Sequence, residues 1–228
     1  WNGLADVDFR VGRFGLLEFT HEAEEYGVQY MPVGMQEMVA PPELMLAQMT
    51  NAGVDHCILQ AGGGYGAMTE MNAFAGRQYP ERMTGLMHVD EAMAGTPEAL
   101  AEVDRAHDEL GLRGLYYGVD AMARHGFPWP LDGAELAPFW DKLAAKDISL
   151  CFEMSSGPGY DLAGYMANLT AFGRVLKRHP GLRVHMAMSP PVAFFARNGR
   201  YQFPDEALAV WRHEPMVLEA MFPITYGG

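Results

Sequence analysis

Short apolar runs alternate with longer amphipathic segments along this chain, and that alternation restricts the fold more than any other feature. Leu4 to Val11, Val54 to Gln60, Met83 to Val89, Gly114 to Val119, Ile148 to Met154, Leu182 to Met188 and Met216 to Met221 are the apolar runs, bounded by Gly, Pro or Asp as strands are. Helical spacing lies between most of them. The plainest case is Leu162 to Lys177, where Leu162, Tyr165, Met166, Leu169, Phe172 and Leu176 share one face. Arg174, Lys177 and Arg178 sit at its C-terminal end, and Pro180-Gly181 stops it. Leu136, Phe139, Trp140 and Leu143 mark a second helix, and Leu100, Val103 and Leu110 a third.

Repeated strand, helix, strand order joins neighbouring strands in parallel through right-handed crossovers, so the expected fold class is α/β, a (β/α)8 TIM-barrel-like domain. Such a barrel takes about 250 residues. This sequence has 228, of which 49% are hydrophobic and 20% charged, enough for one full core. No eighth strand follows Met216 to Met221. The barrel is therefore expected to stop before its eighth strand, within a single domain over 1–228. Two stretches break the alternation. Residues 14–42, with Glu18, Glu22, Glu24 and Glu25 among aromatics and methionines, are expected to be an insertion over the barrel mouth. Residues 190–204, with Phe194, Phe195, Tyr201 and Phe203, are expected to be a lid-like loop.

A net charge of −13 argues against nucleic acid and anionic membrane as partners, because both need clustered Lys and Arg to neutralise phosphate. A small-molecule substrate is the expected partner, with a homo-oligomer left open. Cys57 and Cys151 lie inside apolar strand runs, as reduced core thiols do, which fits a cytoplasmic location. No apolar run approaches the roughly 18 residues that span a bilayer, and no basic segment followed by an apolar one opens the sequence.

The segment Arg178-His179-Pro180-Gly181-Leu182-Arg183-Val184-His185-Met186-Ala187-Met188 carries a resemblance. It is similar to the amidohydrolase-related family, which includes aminocarboxymuconate-semialdehyde and γ-resorcylate decarboxylases and pyrone-dicarboxylate lactonases. In that family a helix ending in a Pro-Leu turn is followed by a strand that closes on Ala-His, a metal ligand; here Ala187-Met188 stands there. The family's first strand carries Asp-x-His-x-His, and Asp6-Val7-Asp8-Phe9-Arg10 puts Asp8 and Arg10 at the two histidines. Glu153 occupies the place of a third histidine, at the end of strand five. The family's last ligand, an Asp after strand eight, falls beyond the end of this sequence.

The resemblance thus implies a metal-binding set His, His, His, His replaced by Asp8, Arg10, Glu153 and Met188. Arginine stays protonated and repels a metal, and a thioether is a poor partner for Zn²⁺. No metal and no other cofactor is expected; a divalent metal such as Zn²⁺, bound through Asp8 and Glu153, is the alternative.

Barrel active sites lie at the C-terminal ends of the strands. Asp8, Arg10 and Glu153 are expected to form a charged cluster there, with a carboxylate as general acid or base and Arg10 binding a substrate carboxylate. The competing reading is a purely structural salt bridge. His88, closing the third strand, is either an assisting acid or base or a satisfied core group. Tyr117 either orients substrate or, as strand aromatics more often do, packs in the core, and Ser155 either brings a hydroxyl to substrate or belongs only to the approach to a helix capped by Asp161. Met154 and Met188, with Met87, Met186 and Met221, are expected to line a soft apolar pocket. His185 is one residue out of phase with Met186 and Met188, so it is expected to face the helices. Gly62-Gly63-Gly64-Tyr65-Gly66 lacks both the dinucleotide fingerprint and the Lys-Ser/Thr of a P-loop, so nucleotide binding is not expected.

The function expected from these residues is a metal-independent hydrolase acting on a small cyclic or aromatic carboxylic acid. Asp8 or Glu153 activates water, Arg10 holds the substrate carboxylate, and His88 assists. A metal-dependent decarboxylase of the same family and a non-catalytic small-molecule-binding subunit are the alternatives.

Overall fold

The computed structural model describes residues 9–21, 23–29, 33–34, 37, 40–60, 68–119, 130–154, 162–187, 196–197, 200–214 and 216–218. The chain divides into two compact units, Trp1–Cys57 and Ile58–Gly228. Among the described residues no helix is long and apolar enough to cross a membrane.

The first unit contains β1 (Phe9–Val11), β2 (Leu16–His21), β3 (Glu24–Gln29) and α1 (Pro42–Ala52). Its strands form an antiparallel meander in the order β1-β2-β3, with Arg10 opposite Glu18 and Glu18 opposite Gly27. A tight turn causes the reversal. The Gly12 N–H bonds the Leu16 carbonyl at 2.8 Å while Phe14 and Gly15 take φ of 60° and 80°. Only Gly enters that left-handed region without strain, so Gly15 supplies half of the turn and Phe14 carries the strained half. This corrects the expectation that Leu4 to Val11 runs as a parallel barrel strand: its described part pairs antiparallel, and residues 1–8 lie outside the described residues. β2 and β3 take up the first half of the expected insertion. All six residues of β3 are exposed, with Tyr26 stacked on Phe19 at 5.3 Å.

β4 (Cys57–Leu59) begins at the end of the first unit. The second continues with α2 (Thr69–Gln78), β5 (Met83–Gly85), β6 (Met87–His88), α3 (Pro97–Asp108), β7 (Gly114–Gly118), α4 (Ala137–Ala145), β8 (Ser149–Glu153), α5 (Leu162–Arg178) and β9 (Val184–Ala187). A short hairpin of β10 (Ala196–Arg197) and β11 (Arg200–Tyr201), α6 (Asp205–Trp211) and β12 (Met216–Leu218) complete it. The hairpin falls within the expected lid at 190–204, most of which lies outside the described residues.

Five strands form one sheet in the order β6-β7-β8-β9-β12, every neighbouring pair parallel. Sequence neighbours are spatial neighbours, and helices intervene, which is the arrangement of part of a (β/α)8 barrel. The expected fold class stands.

One face of this sheet packs on helices. Leu115, Tyr117, Leu150, Phe152, Val184 and Met186 are buried there against Val103 of α3, Phe139, Trp140 and Leu143 of α4, and Leu169, Phe172 and Leu176 of α5. Phe152 stacks on Phe172 with centroids 4.0 Å apart, and the Trp140 indole N–H donates to the Leu131 carbonyl at 2.6 Å. α3 starts where Thr96 accepts the Ala99 N–H in its side chain, with Pro97 in the first turn and Arg105 and His107 in the last. α2 reaches the strands closely because position 85 is glycine. A Cβ there would stand 2.3 Å from the Asn72 carbonyl oxygen, and the buried Asn72 amide instead donates to Leu86 and Leu59 carbonyls at 3.0 and 3.3 Å.

Candidate active site

Residues on adjacent parallel strands that are partners in register point to the same face. Met87, Leu115, Leu150, Val184 and Met216 form one such row, on the helix side. The next row, His88, Tyr116, Cys151, His185 and Val217, therefore points the other way, toward what is the interior of a barrel. Gly118, Glu153 and Ala187 form a further row on that face, nearer the C-terminal ends of the strands.

This phase reassigns several residues. Tyr117 belongs to the helix layer: it is fully buried, with its ring 5.5 Å from those of Phe139 and Trp140, and its hydroxyl donates to the Glu91 carbonyl at 3.3 Å. Burial, reinforced by the Glu91 and Asp90 charges, holds its phenol protonated far above the usual range. Met154 is likewise fully buried among core side chains. Both sit in the core layer, the packing alternative, rather than on the interior face. His185 is corrected in the opposite sense. It shares the interior face with Cys151, its Nδ1 lying 4.0 Å from Cys151 Sγ.

Glu153 is the carboxylate of this face at the strand ends. Its register partners are Gly118 and Ala187. Tyr116, one row deeper, donates its phenol to Glu153 Oε2 in a short hydrogen bond. A phenol donated to a carboxylate stabilises the ionised form and fixes its orientation. Leu86, Tyr116 and Cys151 pack together beneath the pair. Cys151 is a buried thiol that donates to Gln60 Oε1, with Sγ and Oε1 3.5 Å apart.

His88 stands on the neighbouring strand with its ring 6.5 Å from that of Tyr116. Its backbone is clamped to the start of α2, for the Thr69 hydroxyl accepts the His88 N–H at 3.1 Å and faces the His88 carbonyl at 3.3 Å. Its Nε2 lies 3.3 Å from Glu91 Oε1 but out of line for a hydrogen bond, leaving a buried nitrogen with no hydrogen-bond partner among the described residues. Glu91, 3% exposed, also accepts the Gly118 N–H at 3.2 Å. Sequence reasoning passed over Glu91 and Tyr116. The signal for Tyr116 was available in the two-residue period, once the phase was set by Leu115 and Leu150.

Arg10 belongs to the first unit, on β1. Its guanidinium is 62% exposed and lies 3.8 Å from Glu25, a solvated cross-strand pair. Asp8, Ser155, Met188 and Gly62-Gly63-Gly64-Tyr65-Gly66 lie outside the described residues. Among the described residues no three His, Cys, Asp or Glu side chains come together to hold a metal ion.

Residues 18–222 match the model of a family described as amidohydrolase. No curated protein matches the chain. Among solved structures, the chain is similar to an uncharacterised TIM-barrel protein from Bordetella bronchiseptica, at 20% identity and a TM-score of 0.57 over 77% of this chain and 58% of the other. It is similar to a dihydroxybenzoic acid decarboxylase from Polaromonas, with bound manganese and the inhibitor 2-nitroresorcinol, at 15% identity and a TM-score of 0.54 over 79% and 67% of the two chains. A 2,6-dihydroxybenzoate decarboxylase complexed with 2,6-dihydroxybenzoate gives 15% identity and a TM-score of 0.50 over 65% and 56%. The chain thus spans between about half and two thirds of these structures, and at such identities the likeness speaks for the fold alone.

Proposed function

We propose, from the premise that the chain belongs to the amidohydrolase family, that it is an enzyme hydrolysing a small cyclic or aromatic carboxylic acid with acid–base groups of its own. The observation that carries this reading is the Glu153 carboxylate, held at the strand ends by the Tyr116 phenol. A carboxylate so held takes a proton from an attacking water as the new C–O bond forms at the substrate carbonyl. Once protonated, Glu153 is a poorer acceptor, and the Tyr116 hydroxyl is released toward the leaving oxygen as the ring C–O bond breaks. Tyr116 and Glu153 then return to their resting state by passing the proton back. His88, on the adjacent strand of the same face, assists by hydrogen bonding. The carboxylate at position 153, where the family resemblance expects a histidine ligand, supports protein-only chemistry.

Charge-neutral Glu153→Gln tests this. With cyclic esters of dicarboxylic acids and aromatic esters bearing a free carboxylate as substrates, turnover is expected to fall about 10² to 10⁴-fold while thermal unfolding stays unchanged. Retained turnover removes Glu153 from the chemistry. The second reading is a metal-dependent decarboxylase, favoured by two fold relatives that are dihydroxybenzoate decarboxylases. Release of CO₂ from a hydroxybenzoate, rather than of acid from an ester, separates the two.

A further inference from the structure

Glu91 is a buried carboxylate beside the site that the hydrolytic scheme leaves idle. It sits in the short 3₁₀ turn Glu91–Met93 directly after β6. Burying an ionised carboxylate in a strand-end layer is costly unless its oxygens are used. One use is visible: Oε1 accepts the Gly118 N–H at 3.2 Å, at the last residue of β7. The same oxygen lies 3.3 Å from His88 Nε2, itself a buried nitrogen without a hydrogen-bond partner among the described residues. The unpartnered imidazole nitrogen faces a carboxylate oxygen, and the Thr69 hydroxyl holds the His88 backbone at the start of α2.

We infer that Glu91 is a positioning residue. It takes the Nε2–H of His88, fixing the imidazole tautomer, so that the other ring nitrogen, Nδ1, is the one free to act on substrate. This rests on the acid–base reading above, in which His88 assists Glu153. The logic is that of any carboxylate behind a catalytic imidazole: it selects the tautomer and stabilises positive charge on the ring without touching substrate. The Gly118 N–H ties the carboxylate to the strand next to the one that bears Glu153, so Glu91 sets the imidazole against the same sheet edge.

The test pairs a spectroscopic signature with kinetics. Wild-type protein with ¹⁵N-labelled histidine is expected to show an imidazole N–H proton protected from solvent exchange, assigned to His88 by its loss in His88→Gln. Its absence from the wild-type spectrum overturns the pairing, even if every Glu91 variant fails to fold. Glu91→Leu removes the acceptor at similar bulk. It is expected to lose the protected signal and to lower kcat tenfold or more at a KM within twofold, with no further loss when combined with His88→Gln. Glu91→Gln, whose amide oxygen still accepts, is expected to restore part of both. A signal that persists in Glu91→Leu overturns the inference, as does a signal lost with kcat unchanged. Failure of the hydrolytic reading appears separately, as undiminished turnover in Glu153→Gln or as no ester turnover in any variant, and the N–H signal then decides the Glu91–His88 pairing alone.

Discussion

Two consecutive tyrosines show what a single register step decides. Tyr116 and Tyr117 are equivalent in composition and neighbours in β7, yet one reaches Glu153 and the other fills the helix layer. Tyr116→Phe is expected to lower kcat by about tenfold or more with little change in thermal midpoint, because it removes a donor to the carboxylate proposed as the base. Tyr117→Phe is expected to keep turnover within twofold and to cost about 0.5–1.5 kcal/mol, the worth of one neutral hydrogen bond. Urea unfolding and steady-state kinetics on the two variants measure both outcomes; an inverted pattern refutes the face assignment. The sequence left this phase open for a physical reason. In a parallel sheet covered on both sides, each strand is apolar on both faces, so Gly114 to Val119 carries no alternation of polarity to mark which side is in. His185 was misassigned for the same cause: Val184 and Met186, not His185, supply the core face of β9. Glu153 and His88 escaped the ambiguity because polar residues at the ends of apolar strands stand out.

At the scale of elements, what was legible followed from punctuation. α5 runs from Leu162 to Arg178, where its apolar stripe and Pro180 placed it, and the parallel strands fall within the apolar runs read from the sequence. The antiparallel start of the chain was not legible, because its direction is set by the Gly12–Gly15 turn rather than by any hydrophobic period. Helix pairing also depends on charge. Lys142 of α4 and Lys146, which caps it, reach Asp104 and Asp108 of α3, with Lys146 Nζ 3.1 Å from Asp104 and 2.8 Å from Asp108. The Lys142 ammonium holds the Asp104 carboxyl below its usual range. Lys146, helped by His107, holds Asp108 down at about 2. A carboxylate depressed in the folded state favours folding above its unfolded pKa of about 4, and that contribution is lost as pH falls through the folded value. The double variant Asp104→Asn, Asp108→Asn should therefore show a shallower loss of stability between about pH 4 and pH 2 than the wild type. Parallel acid-unfolding curves for the two proteins count against the clamp. Because both aspartates are largely solvated, the difference at neutral pH should be small and should shrink further in salt.

The metal question belongs to the whole molecule. The family resemblance assigns a metal ligand to the position of Glu153, and a carboxylate serves as ligand or as base, so only the assembled protein answers it. A catalytic divalent ion does work that carboxylates cannot share, polarising a carbonyl and lowering the pKa of bound water toward neutrality. An enzyme that depends on one loses nearly all activity when it is stripped. An enzyme that relies on Glu153, Tyr116 and His88 keeps its rate. The net charge of −13 does not decide between them, since an acidic surface attracts cations without ordering them in a site. Dialysis of the purified protein against a chelator is expected to leave ester turnover within twofold, and added Mn²⁺ or Zn²⁺ is not expected to raise it. Elemental analysis before dialysis is expected to find zinc and manganese well below one ion per chain. One tightly held ion per chain, removed together with activity and restored with it, would overturn the protein-only scheme. Glu153 would then be read as a ligand rather than a base, and the decarboxylase reading would take its place.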